Sequence, residues 1–274
     1  MHTRTIAVCG ALALGAGHAS SRPIMFTIDP SRSTIDLDIT LSVDEIGDRT
    51  DSDSSPLSGF VLQALAPIAA PGSTTLYDFE ATLNEQLQFV WDYGFLGSAS
   101  AQLDMGSFFD ADPAALNGPV PVTAGAATIP MVPVAGAGTL DVSYGFLLIG
   151  SGAEVIDLST LDPSVADIDQ TIETSAGVIT ISGSAPIDTT QPLEVDGSQI
   201  GTVTITGTLT LVATAPEPGC AADYNASGDT DFGDVNAFVA AFSSGDPIAD
   251  LTGNGSVGFD DINAFVQGFA QGCP

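Results

Sequence analysis

After Arg49 the chain contains no lysine, arginine or histidine. Lysine is missing altogether, and the basic side chains are Arg4, Arg22, Arg32 and Arg49. Against them stand 34 aspartates and glutamates, giving a formal charge of −30. Residues 1–19 read as a secretory signal peptide: Arg4 at the start, apolar or small residues from Ile6 to Ala16, and Gly17-His18-Ala19 as a small-residue cleavage site. His2, His18 and Cys9 fall within it, so the mature chain has no imidazole. That excludes Ser-His-Asp and Cys-His catalysis, Schiff-base lysines and histidine-ligated zinc. Phosphate neutralisation needs Lys and Arg, so nucleic acid is excluded as a partner. No apolar run is long enough to span a bilayer. Carboxylate chemistry, hydroxyl chemistry and hard-metal binding remain.

The expected location is secreted or cell-surface. The aspartates are spread along the chain rather than gathered in a tail. Such a charge keeps a protein soluble while repelling its own compact state, and salt or divalent cations relieve that repulsion. Two cysteines outlast processing, Cys220 and Cys273. In an exported protein they read as one disulfide, worth about 4 kcal/mol for a loop of that length.

Residues 24–213 carry a β pattern. Ile35, Leu37, Ile39, Leu41 and Val43 alternate with polar residues, as in a half-buried antiparallel strand. Thr202 to Leu211 sets Val203, Ile205, Leu209 and Leu211 against threonines, and Leu140 to Leu148 repeats the alternation. Leu83, Leu87, Phe89 and Trp91 predict a fourth strand, interrupted by Glu85; weaker strands fall at Gly59 to Leu65 and Val178 to Ile181. Gly177 and Asp196-Gly197 supply hairpin turns. The fold class expected is a mainly β sandwich or barrel followed by a small helical domain. Asp48 to Pro56 reads as an exposed acidic loop. Asp110 to Gly138, rich in Ala, Gly and Pro, reads as a long connection. Residues 214–219 read as a proline linker.

Residues 220–274 write one motif twice, DYNASGDTDFGDVNAFVAAF from Asp223 and DLTGNGSVGFDDINAFVQGF from Asp250. Oxygen side chains at alternate positions, glycine at the sixth and a carboxylate at the twelfth describe a Ca²⁺ loop leading into a helix. The first loop offers Asp223, Asn225, Ser227, Asp229, Asp231 and Asp234. The second offers Asp250, Thr252, Asn254, Ser256 and Asp261, with Gly258 at the ninth position. Asp229 at the seventh position contributes its carbonyl. Both loops carry Asp at the twelfth, where an ordinary loop of this kind has Glu. Two Ca²⁺ sites follow, the second weaker because it has fewer carboxylates. After each loop an apolar stripe recurs: Val235, Phe238, Val239, Phe242, then Ile262, Phe265, Val266, Phe269.

Two twelve-position loops, Asp at the twelfth, no helix before either loop and a compact tandem repeat resemble the type I dockerin domain. The resemblance covers Cys220 to Pro274. It implies a Ca²⁺-dependent docking module at the end of a secreted protein, often one that degrades polysaccharides, with a cohesin-like or other surface protein as partner. The flanking cysteines are not part of the usual cohesin-binding pattern.

Three readings compete for the β region. A non-catalytic domain contacting a glycan or surface component fits the missing His and Lys, with Trp91, Tyr93 and Phe95 as an aromatic platform. A glycoside hydrolase needs only two carboxylates, and Asp78, Glu80, Glu85, Asp92, Glu154 and Glu173 are available. A lipid-binding barrel is the third, because Met25 to Ile39 resembles the opening of YceI-like lipocalin-type barrels. It would need an apolar cavity.

Overall fold

The computed structural model describes residues 23–68, 70–147, 150–195, 198–217, 222–225, 227 and 229–271. The signal peptide, both cysteines of the expected disulfide, Gly228, and Asp196-Gly197 lie outside them. The fold is mostly antiparallel β sheet with two short helices at its carboxyl-terminal end.

Among the described residues twelve strands run as β1 (Pro23–Ile28), β2 (Thr34–Val43), β3 (Gly47–Ala66), β4 (Ser73–Leu83), β5 (Leu87–Asp92), β6 (Gly97–Asp110), β7 (Asn117–Pro121), β8 (Ala126–Phe146), β9 (Gly150–Asp157), β10 (Ser164–Ser175), β11 (Val178–Val195) and β12 (Ser198–Pro216). Helices α1 (Phe232–Ser244) and α2 (Phe259–Gln271) follow. The antiparallel ladder closes on itself: β3 pairs β2, then β12, β11, β10, β8, β6 and β4 follow, and β4 returns to β3. Alternation decides the inner face. Ile35, Leu37, Ile39, Leu41 and Val43 are all buried along β2, and Val203 and Leu209 match them on β12. Ala176 and Gly177, both with positive φ, make the two-residue turn between β10 and β11, where left-handed residues fit the strand twist.

Four expectations change. Asp48 to Pro56 is not a loop but the first half of β3, paired residue by residue with β2. Asp51 and Asp53 explain its acidity: their carboxylates accept the backbone N–H groups of Val90 and Gln88 on β5, at 2.7 and 2.8 Å. The side chains thus stand in for a neighbouring strand's carbonyls. Asp110 to Gly138 is not one long connection. It contains β7 and half of β8; Pro133 pairs with Val165 on β10 just past the last β6 pair, Asp110 with Val134, and Pro130 falls in the bulge between Ile129 and Val132. The strand drawn through Leu83 to Trp91 is two, β4 and β5, broken at Asn84 to Gln86, where Ser55 Oγ accepts the Glu85 N–H at 3.0 Å. The linker at 214–219 begins late. Thr214 pairs with Thr27 and Thr180, and the strand runs on to Pro216.

The interior is filled. Phe26, Phe89, Leu57, Leu65, Leu87, Ile129 and Ile179 are fully enclosed. The cavities within the ring are about 40 Å³ and 90 Å³. No helix among the described residues is long and apolar enough to cross a membrane.

Candidate metal centre

The two loops fold as copies. In the first, Asp234 receives the N–H of Asn225 on one oxygen (3.0 Å) and that of Asp231 on the other (2.8 Å). In the second, Asp261 receives Thr252 N–H (3.0 Å) and Gly258 N–H (2.7 Å). The twelfth-position carboxylate therefore clasps the third and ninth backbone amides in both. The first-position carboxylate clasps the fifth: Ser227 N–H to Asp223 at 2.8 Å, Asn254 N–H to Asp250 at 3.1 Å. Asp234 and Asp261 lie in the first turns of α1 and α2, so each twelfth-position clasp ties a loop to the helix that follows it.

Asp223, Asp234, Asp250 and Asp261 are at most 1% exposed. A buried carboxylate needs compensating positive charge or hydrogen bonds, and no basic residue follows Arg49. Arg49 itself is engaged elsewhere, 5.1 Å over the Tyr93 ring and donating to the Asp92 and Asp48 carbonyls. In the second loop the Thr252 hydroxyl lies 3.3 Å from Asp250 Oδ1 and 2.9 Å from Asp261 Oδ1. The two carboxylate oxygens thus approach the same hydroxyl, while each also accepts a backbone N–H, Asn254 on Asp250 and Thr252 on Asp261. All-oxygen surroundings of this kind fit a hard divalent cation.

The ligand sets predicted from spacing are gathered only in part. Among the described residues no three carboxylates come together tightly enough to hold a metal ion by themselves. Asp231 is exposed and caps α1 instead, accepting Gly233 N–H at 2.6 Å in a reciprocal arrangement with Asp234. The Asp229 side chain is also exposed; its carbonyl accepts the Ser227 hydroxyl at 3.3 Å. Ser256 turns onto Asn254 Oδ1, at 2.9 Å from its N–H and 2.7 Å from its hydroxyl. Each loop thus presents two buried carboxylates plus Asn225 and Ser227, or Thr252 and Asn254.

Beneath the loops, Phe238 and Phe265 form the small core with Ala249 and Leu251. The predicted stripe loses two members. Val239 and Val266 face outward at 52% and 56% exposure, since the stacked phenylalanines already fill the contact between the helices. Phe232 and Phe259, at the tenth loop position, are more exposed still, at 77% and 81%.

Sequence reasoning missed the contact that joins this module to the β region. Tyr77, on β4, donates its hydroxyl to Asp250 Oδ2 at 3.1 Å. It is the extra residue of a β-bulge, because Leu62 pairs with Asp78 and Gln63 with Leu76. The bulge turns Tyr77 onto the outer face beside Leu62 and Ala64, where Phe60, Leu116 and Ile248 pack. Burial pushes the Tyr77 hydroxyl well above its ordinary pKa, and the nearby Asp250 carboxylate adds to this. The available signal was the apolar run of β3 from Phe60 to Ala66, broken only by Gln63, which marks a strand covered on both faces.

The aromatic platform does not form. Trp91 and Tyr93 are buried, the indole N–H donating to the Ile39 carbonyl at 3.0 Å and the phenol to that of Leu41 at 2.6 Å. Burial pushes the Tyr93 hydroxyl up to about 12, although Arg49 draws it down. Of the acids considered for hydrolysis, Glu80, Asp92, Glu154 and Glu173 are exposed on four different strands, and Glu85 is exposed in the break between β4 and β5. Asp78 is half-buried, and burial raises its pKa, with Asp110 and Glu80 adding to the effect. No family model matches the chain, and no curated protein matches it.

Proposed function

We propose that this is a secreted or cell-surface protein whose carboxyl-terminal tandem is a dockerin-like, Ca²⁺-dependent docking module, carried by a non-catalytic β domain that serves a binding or structural role. The observation that carries the reading is the matched pair of loops. Asp223 with Asp234, and Asp250 with Asp261, are buried, wired alike and far in sequence from any basic residue. Asp223, Asn225, Ser227, the Asp229 carbonyl and Asp234 would hold one Ca²⁺. Asp250, Thr252, Asn254, the Ser256 carbonyl and Asp261 would hold the other, more weakly. The cation would neutralise the buried carboxylates and fix the loops from which α1 and α2 start.

A docking role is supported by what the module leaves open. Phe232 and Val239 on one copy, and Phe259 and Val266 on the other, are exposed apolar residues at equivalent positions. Cohesin-like domains are the partner class to try first. The test is binding of a cohesin panel to the purified protein with Ca²⁺ and with EGTA. Binding that needs Ca²⁺ and is lost in a Phe232→Asp, Phe259→Asp double variant supports the reading. Calcium-independent folding and no metal uptake at either loop would refute it.

A glycoside hydrolase has one specific observation in its favour, the Asp78–Asp110 pair. Burial raises both carboxyls, as expected of a general acid. Reducing-end release from a polysaccharide panel, lost in Asp78→Asn, would support that alternative. The lipid-barrel alternative has less behind it, since interior cavities of about 40 and 90 Å³ fall far below the roughly 300 Å³ of a small-ligand pocket.

A further inference from the structure

The second loop is not built by the tandem alone. Asp250 Oδ2 accepts two donors, Gly255 N–H at 2.8 Å from within the loop and the Tyr77 hydroxyl at 3.1 Å from β4. Its other oxygen, Oδ1, accepts Asn254 N–H and lies against Thr252, on the side that Asp261 also faces. The carboxylate is therefore oriented, with one oxygen held outward by the β domain and the other turned inward to where a cation would lie. Leu116 supports the same loop, its Cδ1 so close to Gly255 that a Cβ there would meet it at 2.9 Å. Gly255 has φ +83°, so the left-handed turn and the close approach both call for glycine. Ile248, just before the loop, completes the contact with Phe60, Leu62 and Ala64.

We infer that Tyr77 is a positioning residue for the second metal loop, so that Ca²⁺ binding there and docking of the tandem onto β3 and β4 strengthen each other. This rests on the proposal that the loops bind Ca²⁺. A hydrogen-bonded partner behind a metal ligand fixes the ligand's orientation, and its loss typically weakens metal binding about 10- to 100-fold. By linkage, whatever the β domain adds to Ca²⁺ affinity, Ca²⁺ returns to the docked state.

The test is Ca²⁺ titration calorimetry on the full chain, comparing wild type, Tyr77→Phe and Leu116→Ala. Tyr77→Phe keeps the ring and removes only the donor. It is expected to weaken the second binding step about ten-fold and leave the first unchanged. Leu116→Ala, which loosens the same contact without touching the hydroxyl, is expected to weaken the same step by a smaller factor and keeps the test open if Tyr77→Phe does not fold. Two wild-type steps with both variants unaltered would overturn the inference and leave the Ca²⁺ proposal standing. Equal weakening of both steps would mark general damage and would also overturn it. No Ca²⁺ uptake by the wild type would overturn both.

Discussion

The rings of Phe238 and Phe265 lie face to face, their centroids 4.4 Å apart and their planes 4° from parallel. They occupy the same position in the two copies of the motif, so the duplication meets itself at this stack. Tyr224 stands edge-on to both, at 5.5 and 6.3 Å. Truncating a buried phenylalanine costs about 3–5 kcal/mol, a large share of what so small a module can have. Phe265→Ala is expected to abolish the helical circular-dichroism signal of α1 and α2 and to weaken both Ca²⁺ steps together. The unfolding transition of the β domain should stay within a few degrees, as seen by scanning calorimetry.

Removing one twelfth-position carboxylate should silence one loop. Asp234→Asn loses charge and part of the clasp on the Asn225 and Asp231 amides; Asp261→Asn does the same to Thr252 and Gly258. Titration of Asp234→Asn is expected to lose the tighter step, and titration of Asp261→Asn the weaker one. The reverse assignment would contradict the expected order of filling.

Trp91 is a structural residue, and its substitution reads out as stability. Trp91→Phe leaves the Ile39 carbonyl without the indole N–H and empties part of the site against Phe89, whose ring lies 6.2 Å away. A loss of about 1–3 kcal/mol is expected from the lost indole hydrogen bond together with the packing gap, seen in urea unfolding. Glycan retention, if the protein shows any, should not change.

The Asp110 carboxyl titrates to an expected sign. It is 2% exposed, and burial raises its pKa even though the Asp112 N–H and Asn117 side chain donate to it. A carboxyl raised on folding opposes folding when it is ionised. Its penalty is full at neutral pH and disappears as pH falls through the raised value toward about 3.9, the unfolded one. Asp110→Asn is therefore expected to have a higher Tm than wild type at pH 7. The gap should close below about pH 4. A lower Tm than wild type at pH 7, with the deficit vanishing in acid, would show that the hydrogen bonds from Asp112 and Asn117 outweigh burial.

Where side chains alternate against a single core, the sequence was enough. Ile35 to Val43 and Val203 to Leu209 were readable because one face is buried and the other wet. The likeness of the two carboxyl-terminal loops was readable because the motif is written twice with the same spacing, and the matched clasps of Asp234 and Asp261 follow it. Asp51 and Asp53 were not, since a polar run looks like a loop until a second strand is known to need those carboxylates. Tyr77 was hidden for a related reason. A bulge shifts the alternation by one, and nothing nearby in sequence tells which face the displaced ring will meet 173 residues later.

The two aspartates on β3 have a wider consequence. Strand β5 has one neighbour along its ladder, β6, and its outward amides at Gln88 and Val90 are already occupied by Asp53 and Asp51. An incoming chain would have to displace two carboxylates before it could pair with these amides and template fibril growth. In a molecule built largely of extended segments, Asp51 and Asp53 thus guard this one edge against strand addition.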